Sequence, residues 1–157
     1  MAEIENLLQI DTTAGPVVIE MRPELAPTHV ARIKQLVREG FYDGAPFHRV
    51  IEGFMAQTGD PTGTGTGGSG KKLKAEFSKE PHVRGAVSMA RAQSPDSGDS
   101  QFFICFDDAR FLDGQYTVWG RVVEGMENVD KIKRGEPVSN PDRIVAARMM
   151  ADIADAD

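Results

Sequence analysis

The sequence predicts an all-β fold that closes on itself, and two observations carry the prediction. Short runs of strand-forming residues recur between segments rich in Gly, Pro, Ser and Asp, whereas only two stretches keep the spacing of a helix. So many short strands leave unpaired edges, and closure is the surest way to remove them. Pattern alone does not separate a barrel from a sandwich. At 157 residues, 40% of them hydrophobic, the chain fits a single domain spanning 1–157.

The alternation of Leu8, Ile10 and Thr12, then Ala14-Gly15-Pro16, then Val17, Val18, Ile19 and Met21, predicts two antiparallel strands joined by a Gly-Pro turn. Pro27 suits the first turn of a helix, whose apolar stripe of Val30, Ile33, Leu36 and Val37 ends at Gly40. Further strands are expected in FHRVI (47–51), FMAQT (54–58), AVSMA (86–90), QFFICF (101–106), TVWGRVV (117–123) and RIVAARMMADI (143–153). A shorter helix is expected over 125–134, where Met126, Val129 and Ile132 recur at intervals of three. Residues 60–70 and 92–100 are long loops beside strands, where binding function commonly sits.

The formal charge of −6 disfavours binding to a phosphate backbone, which draws on clustered Lys and Arg. The single cysteine, Cys105, excludes an internal disulfide framework and a multi-cysteine zinc site, and reads as a buried apolar residue with no base beside it. The first ten residues, MAEIENLLQI, carry acid where a secretory leader carries base, and no run approaches a membrane span. These features predict a soluble, cytoplasmic protein with no nucleic-acid or membrane partner, and the lack of a heptad pattern or sustained apolar surface helix makes a monomer the expectation.

The stretch FHRVIEGFMAQTGD (47–60) sets a cation and an amide in an apolar hairpin pattern. A two-residue turn at Glu52-Gly53 would pair Arg49 with Ala56 and send Gln57 to the opposite face. A three-residue loop of Glu52, Gly53 and Phe54 instead puts Arg49 directly across from Gln57, and glycine tolerates the backbone this needs. The second register is predicted. Met55 then shares the face of Gln57, and Gln101 shares one with Phe103. Taken singly, Arg49 reads as a surface arginine lying over a strand, and Phe54, Met55, Phe103 and Phe111 as core.

His29 is expected to be exposed on the first helix, His82 to lie in a loop, and His48 to be a hydrogen-bonded structural group. Their scatter lacks metal-ligand spacing, so no metal is expected. Gly63, Gly65 and Gly68 satisfy GxGxxG, and Gly65, Gly70 and Lys71 nearly satisfy a P-loop. Lys72 stands where the P-loop needs a hydroxyl, and the segment after it has no helical periodicity with which to receive a phosphate. The glycines are better explained by tight turns and close approach of a peptide backbone.

The tract 47–60, the tract SQFFICF (100–106), the Gly-rich loop between them and the FLDG segment after them occur in the order that resembles a cyclophilin, the peptidyl-prolyl cis/trans isomerase family. The resemblance runs from about Leu7 to about Asp152. It implies a closed eight-stranded antiparallel barrel capped by two α-helices, working without a cofactor on proline-containing peptides and on unfolded or partly folded proteins. It assigns Arg49 as the catalytic arginine and Gln57 as the group orienting it. Phe54, Met55, Phe103 and Leu112 match the proline pocket, and Gly65, Ala90, Arg91, Ala92 and Gln101 match the groove for the flanking backbone.

Phe111, Tyr116 and Arg91 stand where the best-known eukaryotic members have Trp, His and Asn. The Tyr and Arg choices look like bacterial cytoplasmic cyclophilins, and Phe111, lacking an indole N–H, implies weakened cyclosporin affinity. The expected activity is isomerisation of Xaa-Pro bonds during folding. The alternative is a proline-peptide binding module or chaperone in which catalysis is secondary.

Overall fold

The computed structural model describes residues 3–156. Its elements are β1 (Leu7–Thr12), β2 (Gly15–Met21), α1 (Pro27–Arg38), β3 (Arg49–Ile51), β4 (Met55–Thr58), β5 (Ala86–Met89), β6 (Phe102–Cys105), β7 (Val118–Glu124), α2 (Met126–Val129), β8 (Ile144–Met149) and α3 (Met150–Ala156). The β1–β2 turn is Thr13-Ala14 and not Gly-Pro, because Thr12 already pairs with Gly15. The Thr12 hydroxyl closes it, donating to the Gly15 carbonyl at 2.6 Å and accepting the Ala14 N–H at 3.1 Å.

The strands run in the order β3-β4-β6-β5-β7-β2-β1-β8, and each neighbouring pair is antiparallel. The expected closed barrel is thereby corrected: β3 and β8 lie at opposite ends of the order and share no ladder, leaving an open half-barrel. Among the described residues the gap holds isolated bridges, Pro46 with Arg143 and Val50 with Gly135, and no ladder. Strand β3 is three residues long, and Pro137 and Pro141 in the segment facing it have no N–H to give to a ladder.

Two expected elements end early. Helix α2 stops at Val129, where the backbone tightens to i→i−3 bonds, Lys131 N–H to Asn128 and Ile132 N–H to Val129 at 3.1 Å each; the Arg134 guanidinium then takes the carbonyls of Asp130 and Ile132 at 2.6 and 2.7 Å. The last strand ends at Met149 opposite Leu8, near the start of β1, and the chain then turns into α3.

Alternation along β4 and β6 divides their side chains between two clusters. Ala56, Phe102 and Ile104 join the main core with Ile19, Trp119 and the α1 residues Val30, Ile33 and Leu36. Met55, Phe103 and Cys105 form a smaller cluster on the other face with Ala86, Ala109 and Leu112. Strands β5 and β6 are buried at every position for that reason. The smaller cluster is the floor of the site described next.

His29 is buried, contrary to expectation, with 1% of its surface exposed. The N-cap of α1 supplies no side-chain bond. Glu76 caps the helix instead, accepting the N–H groups of Thr28 and His29 at 3.1 and 2.8 Å and lying 2.6 Å from His29 Nδ1. Burial lowers the His29 pKa even though Glu76 opposes it, so a neutral ring donates to an ionised carboxylate.

Candidate functional site

The β3–β4 loop is Glu52-Gly53-Phe54, with Gly53 at φ 74. The odd length sets Ile51 opposite Met55 and Arg49 opposite Gln57, so the predicted register holds. Arg49 Nη1 donates to Gln57 Oε1 at 3.3 Å, and Gln57 Nε2 donates to Gln101 Oε1 at 2.9 Å. Gln101 Nε2 in turn donates to the carbonyls of Gly65 and Gly67 at 3.0 and 2.9 Å. A chain of amides thus ties the arginine to the Gly-rich loop.

This chain lies along two adjoining cavities. The smaller, about 120 Å³, is walled by Phe54, Met55, Phe103, Leu112 and Tyr116, with Arg49 and Gln57 supplying its polar edge. The larger, about 380 Å³, is lined mainly by Gly65 to Gly68, Lys72, Ala92, Ser97, Asp99 and Gln101. Gln57, Ala90 and Arg91 border both. Arg91 divides them: its guanidinium lies 4.5 Å from the centre of the Tyr116 ring and donates to the carbonyls of Gln115, Ala92 and Gln93. Every site residue read from the sequence lines one cavity or the other except Phe111. That ring is 69% exposed and packs on Phe54 at 5.6 Å between centroids, a rim position and not a wall.

The Gly-rich loop is organised by two carboxylates. Asp60 accepts the N–H groups of Thr62, Gly65 and Gly67 at 2.9, 2.8 and 2.9 Å, and the Thr62 hydroxyl at 2.7 Å. Burial works against its charge, but these donors prevail and hold its pKa at about 2. Asp99 accepts from the Ser69 hydroxyl and N–H and from Gly70 N–H. The loop amides that a phosphate would need are therefore already engaged. A Cβ on Gly67 would fall 2.1 Å from Asp60 Oδ1, which explains a glycine there.

Sequence reasoning missed Glu136, whose Oε2 accepts from Arg49 Nε at 2.6 Å, and Lys72, Ser97 and Asp99 in the larger cavity. Asp60 ends the tract that singled out Arg49, so its place was signalled but its function was not. Glu136 carries no local signal, lying 87 positions from Arg49 in sequence.

Behind the smaller cavity, Ser88 Oγ is 2.9 Å from His82 Nε2, and His82 Nδ1 is 3.1 Å from Asp113 Oδ1. The order imitates a hydrolase triad, but Ser88 and His82 have no exposed surface, and Ser88 Oγ also lies 3.0 Å from the Thr117 carbonyl. The His82 ring stacks at 6.2 Å on Phe103, so the array backs the apolar wall. His82 sits in a loop as expected but is fully buried. His48 is buried at 8% exposure; its Nδ1 has no hydrogen-bond partner within ordinary distance among the described residues, although the Pro46 backbone and the Gln101 side chain act on its ring as hydrogen-bond partners. Burial pushes the Cys105 thiol up to about 12, which makes it inert. Among the described residues no group of side chains could hold a metal ion.

Burial is also the largest cause lowering the pKa of all three histidines. A lowered folded pKa means that the unfolded chain takes up protons first as the pH falls. Their stabilisation is complete above the unfolded value of about 6.5 and is lost as pH drops through the lower folded values. Urea midpoints should therefore be flat from pH 8 to 7 and decline from pH 6.5 to 5. A midpoint that rose on acidification would contradict buried neutral imidazoles.

The comparisons with known proteins agree in direction. Residues 7–151 match the family described as cyclophilin type peptidyl-prolyl cis-trans isomerase/CLD. A probable peptidyl-prolyl cis-trans isomerase of Brucella suis is 55% identical over 168 aligned positions, covering 96% of this chain and 86% of that protein. The crystal structure of cyclophilin AquaCyp293 from Hirschia baltica superposes with a TM-score of 0.89 at 35% identity, covering 96% of this chain and 76% of that one. A cyclophilin type peptidyl-prolyl cis-trans isomerase of Cryptosporidium parvum, solved in the presence of the dipeptide Ala-Pro, gives 0.85 at 28% identity, with coverage of 91% and 98%.

Proposed function

This chain belongs to the cyclophilin-type peptidyl-prolyl cis-trans isomerases, and from that premise we propose that it turns the Xaa-Pro bond by gripping the proline ring in the smaller cavity while Arg49 meets the twisted amide. The observation that carries the mechanism is the cross-strand Arg49–Gln57 pair opening onto an apolar pocket. The barrier of about 18–20 kcal/mol comes from C–N double-bond character, which is lost on twisting as the lone pair localises on nitrogen. No covalent bond breaks, so no base or nucleophile is needed. A donor that engages the amide more strongly when twisted lowers the barrier.

Arg49 uses Nε and one Nη1 hydrogen within the protein. The remaining Nη1 hydrogen and both Nη2 hydrogens have no acceptor among the described residues, leaving a fork for substrate. Gln57 holds that fork, and Gln101 with the Gly65 loop receives the flanking backbone in the larger cavity. The substrates are exposed Xaa-Pro bonds in unfolded or partly folded chains, where uncatalysed isomerisation takes tens to hundreds of seconds. We assign the chain a cytoplasmic, monomeric role. Its one cysteine is fully buried, which suits a reducing compartment. Phe111, exposed and without an N–H donor, supports weakened cyclosporin binding.

Refolding of a client limited by proline isomerisation tests catalysis against binding. Wild-type protein at substoichiometric amounts should accelerate the slow phase, and Arg49→Ala should not. Equal acceleration by the two would mean that binding, and not Arg-assisted isomerisation, is the working activity.

A further inference from the structure

We propose that Glu136 is a positioning residue for Arg49, fixing the guanidinium on its Nε edge so that its free N–H groups stand ready at the proline amide before substrate arrives. The inference rests on the assignment of Arg49 as the donor. The contact from Gln57 to this guanidinium is at the long end of hydrogen-bond range at 3.3 Å, whereas the Glu136 contact is 2.6 Å and charge-assisted. The β3–β4 register already fixes which strand face Arg49 occupies. Glu136 supplies the tighter of the two contacts.

The pairing at the outer edge of β3 explains why an acid stands there. Strand β3 has β4 on one side and no ladder on the other, so its outer edge is open to the segment 135–138. That segment docks by reciprocal bonds between Val50 and Gly135, both 2.8 Å, and by Val138 N–H to the His48 carbonyl at 3.1 Å. These backbone bonds flank Arg49 from both sides and deliver Glu136 to it. In the antiparallel register that the Val50–Gly135 bridge sets, Glu136 falls directly across from Arg49, as a cross-strand partner of opposite charge.

The pair is poorly suited to a stabilising role. The side chains of Arg49 and Glu136 are 43% and 58% exposed, and ion pairs in that setting add little to folding. Its value lies in removing rotamer freedom from a long side chain ahead of the reaction. A salt link on Nε spends none of the Nη hydrogens, three of which remain after the Gln57 contact, whereas a bidentate pair across both Nη atoms would block them.

The test compares Glu136→Ala and Glu136→Gln with wild type and with Arg49→Ala in a protease-coupled isomerase assay. Glu136→Ala should lose roughly tenfold in kcat, less than the ~100-fold that a misplaced group can cost, with KM within about twofold and an unchanged thermal midpoint. Glu136→Gln, whose amide oxygen still accepts from Nε, should recover most of that loss. In 15N spectra the Arg49 Nε proton should exchange slowly in wild type and Glu136→Gln, and fast in Glu136→Ala. A kcat for Glu136→Ala within a factor of about 1.5 of wild type, beside an inactive Arg49→Ala, overturns the positioning role and leaves Arg49 intact as donor. Full activity in Arg49→Ala would instead remove the premise.

Discussion

Arg49→Ala is expected to lower kcat/KM about a hundred- to a thousandfold, the ~2.7–4 kcal/mol attached to one pre-organised transition-state donor. The change should fall on kcat more than on KM, because the apolar walls of Phe54, Met55, Phe103, Leu112 and Tyr116 stay in place to hold the proline ring. Folding should be nearly untouched, since the arginine side chain is 43% exposed and its ion pair lies at the surface. Arg49→Lys should remain strongly impaired. Its ammonium keeps the charge, but it cannot serve Glu136, Gln57 and substrate from one planar fork. Turnover equal to wild type in a folded Arg49→Ala protein would falsify the donor assignment.

Asp60→Ala should cost both stability and activity. The carboxylate has no exposed surface, and its loss strands the N–H groups of Thr62, Gly65 and Gly67. Water can reach part of this exposed loop, so the expected loss is about 2–3 kcal/mol, on the scale of hydrogen bonds to a charged group. The same loop offers the Gly65 and Gly67 carbonyls that anchor Gln101, and through it Gln57. Relaxation of the loop should therefore raise KM for peptides that extend beyond the proline. With the pKa of Asp60 held at about 2, its contribution is present above the unfolded value near 4 and is lost as the pH falls through about 2. Urea unfolding and peptide kinetics on Asp60→Ala check both effects. A variant matching wild type in both would show that Asp60 does not organise the loop.

The strand runs were legible in the sequence because alternation is a local property, and so was the odd loop at Gly53 that brings Arg49 opposite Gln57. The boundaries failed where local contacts shifted them: the end of α2 tightens into i→i−3 bonds at Lys131 and Ile132, and the prolines after Gly135 left the sheet open between β3 and β8. His29 was misjudged because its partner, Glu76, lies 47 positions away.

By itself the sequence determined the residue types of the groove, the register of its central hairpin and, through the order of its tracts, the family. The tertiary structure decided which apolar face is core and which is groove. Period-2 patterning reads Phe102 and Phe103 alike, and packing puts one against Trp119 and the other in the wall of the smaller cavity. It also decided that Phe111 stands on the rim and that Glu136 reaches Arg49. Contacts of that kind depend on how remote segments meet across a curved sheet, and spacing along the chain does not encode that meeting.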